Sequence, residues 1–198
     1  MTDTSPINPP VRFTTEQLDW IAWLPPLPED QLTERHHKGL VDPARAKSSY
    51  FMLLARDPDI LGARTRTDKD IFYNPEGGLP RAERELAATA TSRYNGCIYC
   101  ASVHSRFAGH FSKREQDVQK LLDDGVKTEL DPRWDAIVDA SVALTATPPE
   151  FDESHILKLR DAGLDEAAIV DVIQSASFFN WANRLMLSLG EPSLPESR

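Results

Sequence analysis

The sequence predicts an all-α fold, arranged as a single helical bundle that follows a proline-rich N-terminal arm. Three observations favour this class. Apolar residues recur with helical spacing over most of the chain after Pro43, and turn residues divide that part into segments of helix length. No run alternates apolar and polar residues between turns, as a half-buried strand would. We therefore assign residues 1–40 to the arm and residues 41–198 to the helical domain.

Length, charge and the N-terminus exclude several classes of protein. The 198 residues suffice for one sizeable domain. A net charge of -9 opposes non-specific binding to nucleic acid or anionic membrane, which are bound chiefly by basic surfaces. The first residues lack the basic and apolar regions of a signal peptide, and no apolar run approaches the roughly 18 residues of a spanning helix. We expect a cytoplasmic protein that binds neither nucleic acid nor membrane.

The arm carries two tryptophans in an otherwise polar and proline-rich stretch. Trp20 and Trp23 lie in one short segment, residues 16–24. Large apolar rings in such a context predict docking against the body or a neighbouring subunit rather than a free tail. The surrounding prolines are Pro6, Pro9, Pro10, Pro25, Pro26 and Pro28.

The first helical part of the domain is short. An apolar run from Ala46 to Leu54 predicts a helix that ends at Asp57-Pro58. Residues 59–80 contain several glycines and prolines, so we interpret them as a connector closed by a turn.

The central part of the chain predicts three consecutive helices. An Ala-, Glu-, Leu- and Arg-rich helix over about 81–94 follows Pro80 and ends at Asn95-Gly96, a pair suited to a left-handed helix cap. A second helix begins at the cysteines and continues to about Phe111. A third covers 112–124 and ends at Gly125.

The C-terminal part predicts three more helices. Asp131-Pro132 opens one that stops before Pro148, and two final helices flank Gly163. The last covers about 165–189 and is strongly apolar. We find no clear internal repeat.

The reactive groups of the chain are concentrated around its two cysteines, Cys97 and Cys100. In a reducing compartment such a pair is more often catalytic, redox-active or metal-binding than a structural crosslink. His104 follows one turn later, so Cys97, Cys100 and His104 would lie along one stripe of a helix. The positive end of the helix dipole would stabilise a thiolate at Cys97.

This spacing is typical of a dithiol redox site. His104, directly or through one water, can accept the Cys100 proton, and the Cys100 thiolate can attack a hydroperoxide to give a sulfenic acid and an alcohol. Cys97 can condense with the sulfenic acid, forming a disulfide that a separate reductant reopens. Glu85 lies on the preceding helix and would orient His104.

These residues resemble a known family. Glu85, Cys97-x-x-Cys100 and His104 are spaced like the active-site motif of the AhpD-like alkylhydroperoxidases in the carboxymuconolactone decarboxylase superfamily. The segments 79–86 (LPRAEREL) and 179–184 (FNWANR) resemble its peroxidase-related branch, and looser similarity extends from about Ser49 to Leu189.

The resemblance implies an AhpD-like helical bundle, with its CxxC core at about 80–125, that forms homo-oligomers. It also implies peroxidase activity in antioxidant defence, with Cys100 peroxidatic and Cys97 resolving. A lipoylated or thioredoxin-like dithiol protein would be the reductant by analogy, and we predict neither a cofactor nor a metal. One position departs from the pattern: the founding alkylhydroperoxidase has histidine where this chain has Tyr99, so a support role for the Tyr99 phenol in the proton relay stays open.

Alternatives remain at this point. The chain could be a decarboxylase of the carboxymuconolactone type, or a non-enzymatic helical protein whose disulfide changes its assembly. The sulfurs could also bind a metal with His104 and a fourth ligand, or be buried small apolar groups. Asn180, Asn183 and Arg184, on the last helix, could line the pocket or form hydrogen bonds between helices.

Overall fold

The computed structural model describes residues 8–195, so Pro6 and the rest of residues 1–7, together with residues 196–198, lie outside it. Apart from one two-stranded ribbon, the regular secondary structure of the described part is helical, which confirms the predicted class. Its α-helices are α1 (Glu34–Leu40), α2 (Ser49–Leu54), α3 (Pro58–Tyr73), α4 (Arg81–Asn95), α5 (Ile98–Ser112), α6 (Glu115–Asp124), α7 (Pro132–Thr145), α8 (Glu153–Asp161) and α9 (Glu166–Leu189).

The prediction that no strand forms is wrong in one detail. Two four-residue strands, β1 (Asp19–Ala22) and β2 (Gly190–Ser193), pair antiparallel, with Trp20 opposite Pro192. Neither segment alternates apolar and polar residues, so the sequence pattern gave no sign of a strand. The ribbon forms where the arm meets the end of α9. It ties the arm to the C-terminal end of the bundle.

The connector predicted at residues 59–80 is also wrong, since its residues 59–73 belong to the 16-residue helix α3. Asp57-Pro58 ends α2 and also begins α3: the Asp57 side chain accepts the Ile60 amide, and Pro58 occupies the first turn. Gly39 lies inside α1 where a Cβ would clash with the Pro58 carbonyl at the start of α3. Its small size therefore serves the contact between α1 and α3.

The other helix boundaries follow the predicted caps. Gly96 has the left-handed conformation (φ 79°) that ends α4 before the cysteines. Asp131 caps α7 by accepting the Arg133 and Trp134 amides, with Pro132 in the first turn. Asp165 accepts the Ala168 amide at 2.8 Å and begins α9. These helix ends are therefore fixed by local hydrogen bonds, which the residue types in the sequence predict.

Helix α4 is the centre of the bundle and packs against α5, α7 and α9. Residues 83–92 are all buried, although several are polar. The Thr89 hydroxyl donates to the Glu85 carbonyl and the Ser92 hydroxyl to the Ala88 carbonyl, each at 2.7 Å, so these groups carry no unmet hydrogen bond. Small residues along α4 let the neighbouring helices approach closely. This close packing buries the Glu85 carboxylate inside the protein.

The arm covers the side of the bundle that carries the cysteines. Trp20 is buried and meets the Tyr50 ring edge-on, with ring centroids 5.3 Å apart. Trp23 is half exposed and donates its indole N–H to Glu191 at 2.8 Å. Trp20 belongs to the apolar cluster that contains both cysteines. The docking of the arm thus helps to enclose the site described next.

Across the helices of residues 8–195, none combines the length and apolar character needed to cross a lipid bilayer.

Candidate active site

The two cysteines meet at the beginning of α5. Cys97 is the residue that precedes the helix, and Cys100 lies in its first turn. Both are reduced and buried, and their Sγ atoms are 2.9 Å apart within a hydrogen bond. The left-handed turn at Gly96 reverses the chain and places Cys97 where the N-terminal end of α5 favours negative charge. The pair is therefore positioned to form a disulfide once it is oxidised.

Glu85 and His104 form a hydrogen-bonded pair between α4 and α5. The His104 Nδ1 is 2.6 Å from the Glu85 Oε2, and the carboxylate is almost fully buried. Because an ionised carboxylate can only accept, Nδ1 carries the hydrogen and Nε2 remains the free acceptor. The other Glu85 oxygen, Oε1, accepts from Arg81 at 3.2 Å. Arg81 thus compensates the buried charge, and Glu85 fixes the histidine tautomer.

Aromatic rings hold the imidazole in place. The His104 ring centroid lies 4.0 Å from that of Phe179 and 5.2 Å from that of Phe72. Phe179 belongs to α9 and Phe72 to α3, so three helices fix one ring. This packing restricts rotation of His104 and keeps its free nitrogen in a largely apolar environment.

A cavity of about 180 Å³ lies beside these groups. The predicted site residues Glu85, Tyr99, Cys100 and His104 all border it. Cys97 is absent from the cavity wall in the described structure, so the two sulfurs are not equivalent: a small molecule in the cavity meets Cys100.

The immediate surroundings give the two thiols opposite pKa shifts. Hydrogen bonding with Cys100 lowers the pKa of Cys97 despite its burial, whereas burial raises the pKa of Cys100 well above its ordinary value. The hydrogen bond and the charge of Cys97 raise the Cys100 pKa further. The pair titrates as a unit, and its first negative charge belongs chiefly to Cys97. Attack by Cys100 therefore requires a base that accepts its proton.

His104 is not hydrogen-bonded directly to Cys100 in the described residues, although both border the cavity. Transfer of the Cys100 proton to His104, directly or through one water, therefore stays a prediction. Tyr99 borders the same space, and burial raises the pKa of its phenol, so the hydroxyl keeps its proton at neutral pH.

Asn183 is a site residue that the sequence left undecided. It is fully buried on α9, where its Nδ2 donates to the Ser92 hydroxyl at 3.0 Å and its Oδ1 accepts from Asn95 at 3.1 Å. Its amide also acts to lower the pKa of both cysteines, against the stronger effect of burial at Cys100. It thus forms a hydrogen bond between helices, one of the roles that the sequence left open, and it influences the ionisation of the sulfur pair.

Sequence reasoning missed several polar residues of the cavity wall, among them Tyr50 of α2 and the pair Arg64 and Asp68 of α3. Arg64 lies in the segment interpreted as a connector, where no helical face was expected. An arginine outside any recognised motif gives no local signal that it will be buried. Only the packing of α3 against α2 therefore identifies Arg64. Among the described residues, no cluster of three or more His, Cys, Asp or Glu side chains is arranged to hold a metal ion.

Comparison with known families and sequences gives one family match and one curated relative. Residues 58–143 match the model of the carboxymuconolactone decarboxylase family. The uncharacterized protein YdfG of Bacillus subtilis (strain 168) is 24% identical over 118 residues, which cover 60% of this chain and 80% of that protein.

Solved structures share the fold. A peroxidase-related protein of Ralstonia eutropha JMP134, described as an alkylhydroperoxidase AhpD core, is 24% identical with a TM-score of 0.69, over 83% of this chain and 88% of that one. A peroxidase-related protein of Silicibacter sp. TM1040 has the same identity and TM-score, over 85% and 92%. The debrominase Bmp8 is 17% identical with a TM-score of 0.67, over 84% and 89%. At these identities the likeness establishes the fold alone.

Proposed function

We propose that the chain, which matches the carboxymuconolactone decarboxylase family model over residues 58–143 and shares the fold of AhpD-like proteins, is a thiol-dependent hydroperoxide reductase. The observation that carries the proposal is the sharing of one cavity by Cys100 and by His104, whose tautomer Glu85 fixes. A fold that also hosts a debrominase does not decide the chemistry, so the choice depends on these side chains.

The first step is the oxidation of Cys100. The free Nε2 of His104 accepts the Cys100 proton through the cavity, and Glu85 stabilises the imidazolium that forms. The thiolate attacks the terminal peroxide oxygen, the O–O bond breaks, and Cys100 becomes a sulfenic acid. The departing alkoxide takes the proton back from His104 and leaves as an alcohol.

The second step forms the disulfide. Cys97, 2.9 Å from Cys100, attacks the sulfenic sulfur through its thiolate, and the hydroxyl leaves with a proton as water. The lowered pKa of Cys97 favours this role, because it increases the fraction of Cys97 that is thiolate when the sulfenic acid appears. An external dithiol then reduces the disulfide by exchange. A lipoylated or thioredoxin-like donor and a homo-oligomeric assembly remain predictions.

The proposal is tested by stoichiometry, which needs no knowledge of the natural reductant. Reduced protein, freed of reductant under anaerobic conditions, should consume one equivalent of tert-butyl hydroperoxide per chain and lose both titratable thiols. Cys100→Ser should consume none. Cys97→Ser should still consume one equivalent and accumulate a sulfenic acid that dimedone traps on Cys100.

The contrary outcomes are equally definite. If the wild-type protein consumes no hydroperoxide, or if Cys100→Ser consumes as much as the wild type, the proposed activity is wrong. Turnover of a carboxymuconolactone by a Cys97→Ser/Cys100→Ser double variant would instead assign a decarboxylase. Debromination of a bromopyrrole with no hydroperoxide consumption would assign the chemistry named for Bmp8.

A further inference from the structure

We infer that the cavity beside Cys100 binds small organic molecules through an anionic head group, a carboxylate, which Arg64 and Tyr50 receive at the wall formed by α2 and α3. Applied to the proposed activity, on which this part of the inference rests, the preferred substrates are hydroperoxides that carry a carboxylate. The inference about binding itself does not depend on that activity.

Arg64 is a buried cation with unused donors. Its side chain is 8% exposed, and its Nε and Nη1 have no hydrogen-bond partner among the described residues. Asp68 is its nearest carboxylate, with Nη1 and Oδ2 3.7 Å apart, which is an ion pair without a hydrogen bond. Leaving donors of a buried guanidinium unpaired is costly, and a planar carboxylate satisfies two of them at once.

Tyr50 supplies a second unused donor at the same wall. Its hydroxyl is buried and has no hydrogen-bond partner in the described part of the chain. Burial raises the pKa of this phenol, so the group remains a neutral O–H donor at any physiological pH. The Arg64 guanidinium carbon lies 6.0 Å from the centre of the Tyr50 ring, and the Arg64 charge acts to lower the pKa of the phenol, so the two residues are neighbours on this wall.

The charges around the cavity leave one cation without a counter-ion of its own. Asp68 is shared between Arg64 at 3.7 Å and Arg45 at 4.0 Å. On the opposite side, the Glu85 carboxylate is compensated by Arg81. Arg45 and Arg64 thus share one carboxylate, so a single positive charge remains at this wall, and an anionic ligand would neutralise it.

The rest of the wall defines the body of the ligand. Phe51, Phe72, Phe179 and Met186 contribute apolar surface to the cavity. Its volume of about 180 Å³ equals that of about six liquid water molecules. A short branched or monocyclic carboxylic acid fits this space, with its carboxylate at Arg64 and its remaining end facing Cys100 and His104.

Binding of unreactive probes tests the site directly. Isothermal titration of the reduced wild-type protein should show benzoate binding about tenfold or more tightly than benzamide, a neutral molecule of the same shape. Arg64→Met should remove this preference. Arg66→Met, which changes an exposed arginine of the same helix, should keep it. Arg64→Lys, which retains the charge without the planar fork, should show an intermediate preference.

Turnover separates the binding role from an effect of Arg64 on the reacting sulfur. The two substrates are a short branched carboxylic acid that carries a hydroperoxide group and the methyl ester of that acid. The wild-type kcat/KM should be about tenfold or more higher for the acid than for the ester, and Arg64→Met should abolish this difference. An equal fall on both compounds would mean that Arg64 serves only the thiolate, and would overturn the inference.

Several results would contradict the inference. They are equal affinity for benzoate and benzamide, binding of neither, or loss of the preference in Arg66→Met as well as in Arg64→Met. If benzoate binding depends on Arg64 but no hydroperoxide is consumed, the inferred ligand class is supported and the proposed activity is wrong.

Discussion

Glu85 and His104 are joined by a 2.6 Å hydrogen bond between two neighbouring helices, and the carboxylate is among the most deeply buried groups of the protein. Neither residue is unusual on its own helix. Together they give an imidazole of fixed tautomer whose free nitrogen shares a cavity with Cys100. This pair, rather than the cysteines alone, distinguishes the site from two buried thiols.

Replacing Glu85 by Gln should slow the reaction of Cys100 with hydroperoxide by about 10²-fold, the usual contribution of a well-placed base. An amide cannot stabilise the imidazolium, and it no longer fixes the tautomer. Stopped-flow measurement of peroxide consumption checks this.

The matched control for that variant is Glu83→Gln. Glu83 is also buried on α4 but pairs with Arg133, with oxygen–nitrogen distances of 2.7 and 2.8 Å. This change should lower stability without the rate effect. Equal rate losses in the two variants would show that the effect is one of folding.

Replacing Cys97 by Ser should make Cys100 ionise at lower pH. In the wild type, burial raises the Cys100 pKa first, and the hydrogen bond and charge of Cys97 raise it further. Removing the second sulfur removes the latter two causes, so the thiolate fraction of Cys100 at neutral pH rises. The pH dependence of iodoacetamide alkylation, followed by peptide mass spectrometry, measures the shift.

A serine at the opposite end of α5 provides the comparison. The Ser112 hydroxyl donates to the Ala108 carbonyl, far along the helix from the sulfurs, so Ser112→Ala should leave the midpoint of Cys100 alkylation unchanged. An unchanged or higher midpoint in Cys97→Ser would refute the coupling between the two thiols.

The two tryptophans of the arm should differ sharply in their contribution to stability. Trp20 is buried against Tyr50, so Trp20→Ala should lower the free energy of unfolding by about 3–5 kcal/mol. Trp23 is half exposed and makes one hydrogen bond, so Trp23→Ala should cost about 1 kcal/mol or less. Urea denaturation compares them, and similar midpoints would mean that the arm does not contribute as described.

Asn183→Leu should destabilise the protein and slow alkylation of Cys97 at neutral pH. Its buried amide is hydrogen-bonded to Ser92 and Asn95, and each group left unpaired costs about 1–3 kcal/mol. Loss of the Asn183 amide also removes one of the influences that lower the pKa of Cys97, so that this pKa rises. Asn180→Leu, which removes only a 3.1 Å bond from Asn95 at a half-buried position, should have a small effect on both measurements. Equal effects of the two variants would deny Asn183 a place in the site.

Most of the fold was predictable because its signals are local. The Asp131 cap, the Gly96 turn and the apolar face of α9 each depend on residues within a few positions of one another. Helix α3 was not predictable in this way. Gly62 looks like a helix breaker in sequence, and the helix is supported by packing against α1, which comes so close that Gly39 has no room for a Cβ beside Pro58.

The sequence by itself determined the helical class and the spacing that brings Cys97, Cys100 and His104 onto the start of one helix. Only the tertiary structure decided which sulfur borders the cavity, how Glu85 reaches His104, and that Arg64 and Tyr50 complete the wall. The physical reason is the range of the forces involved. Capping and helical spacing act over a few residues, whereas burial, ion pairing and the pKa of a thiol depend on side chains that packing brings together from distant positions.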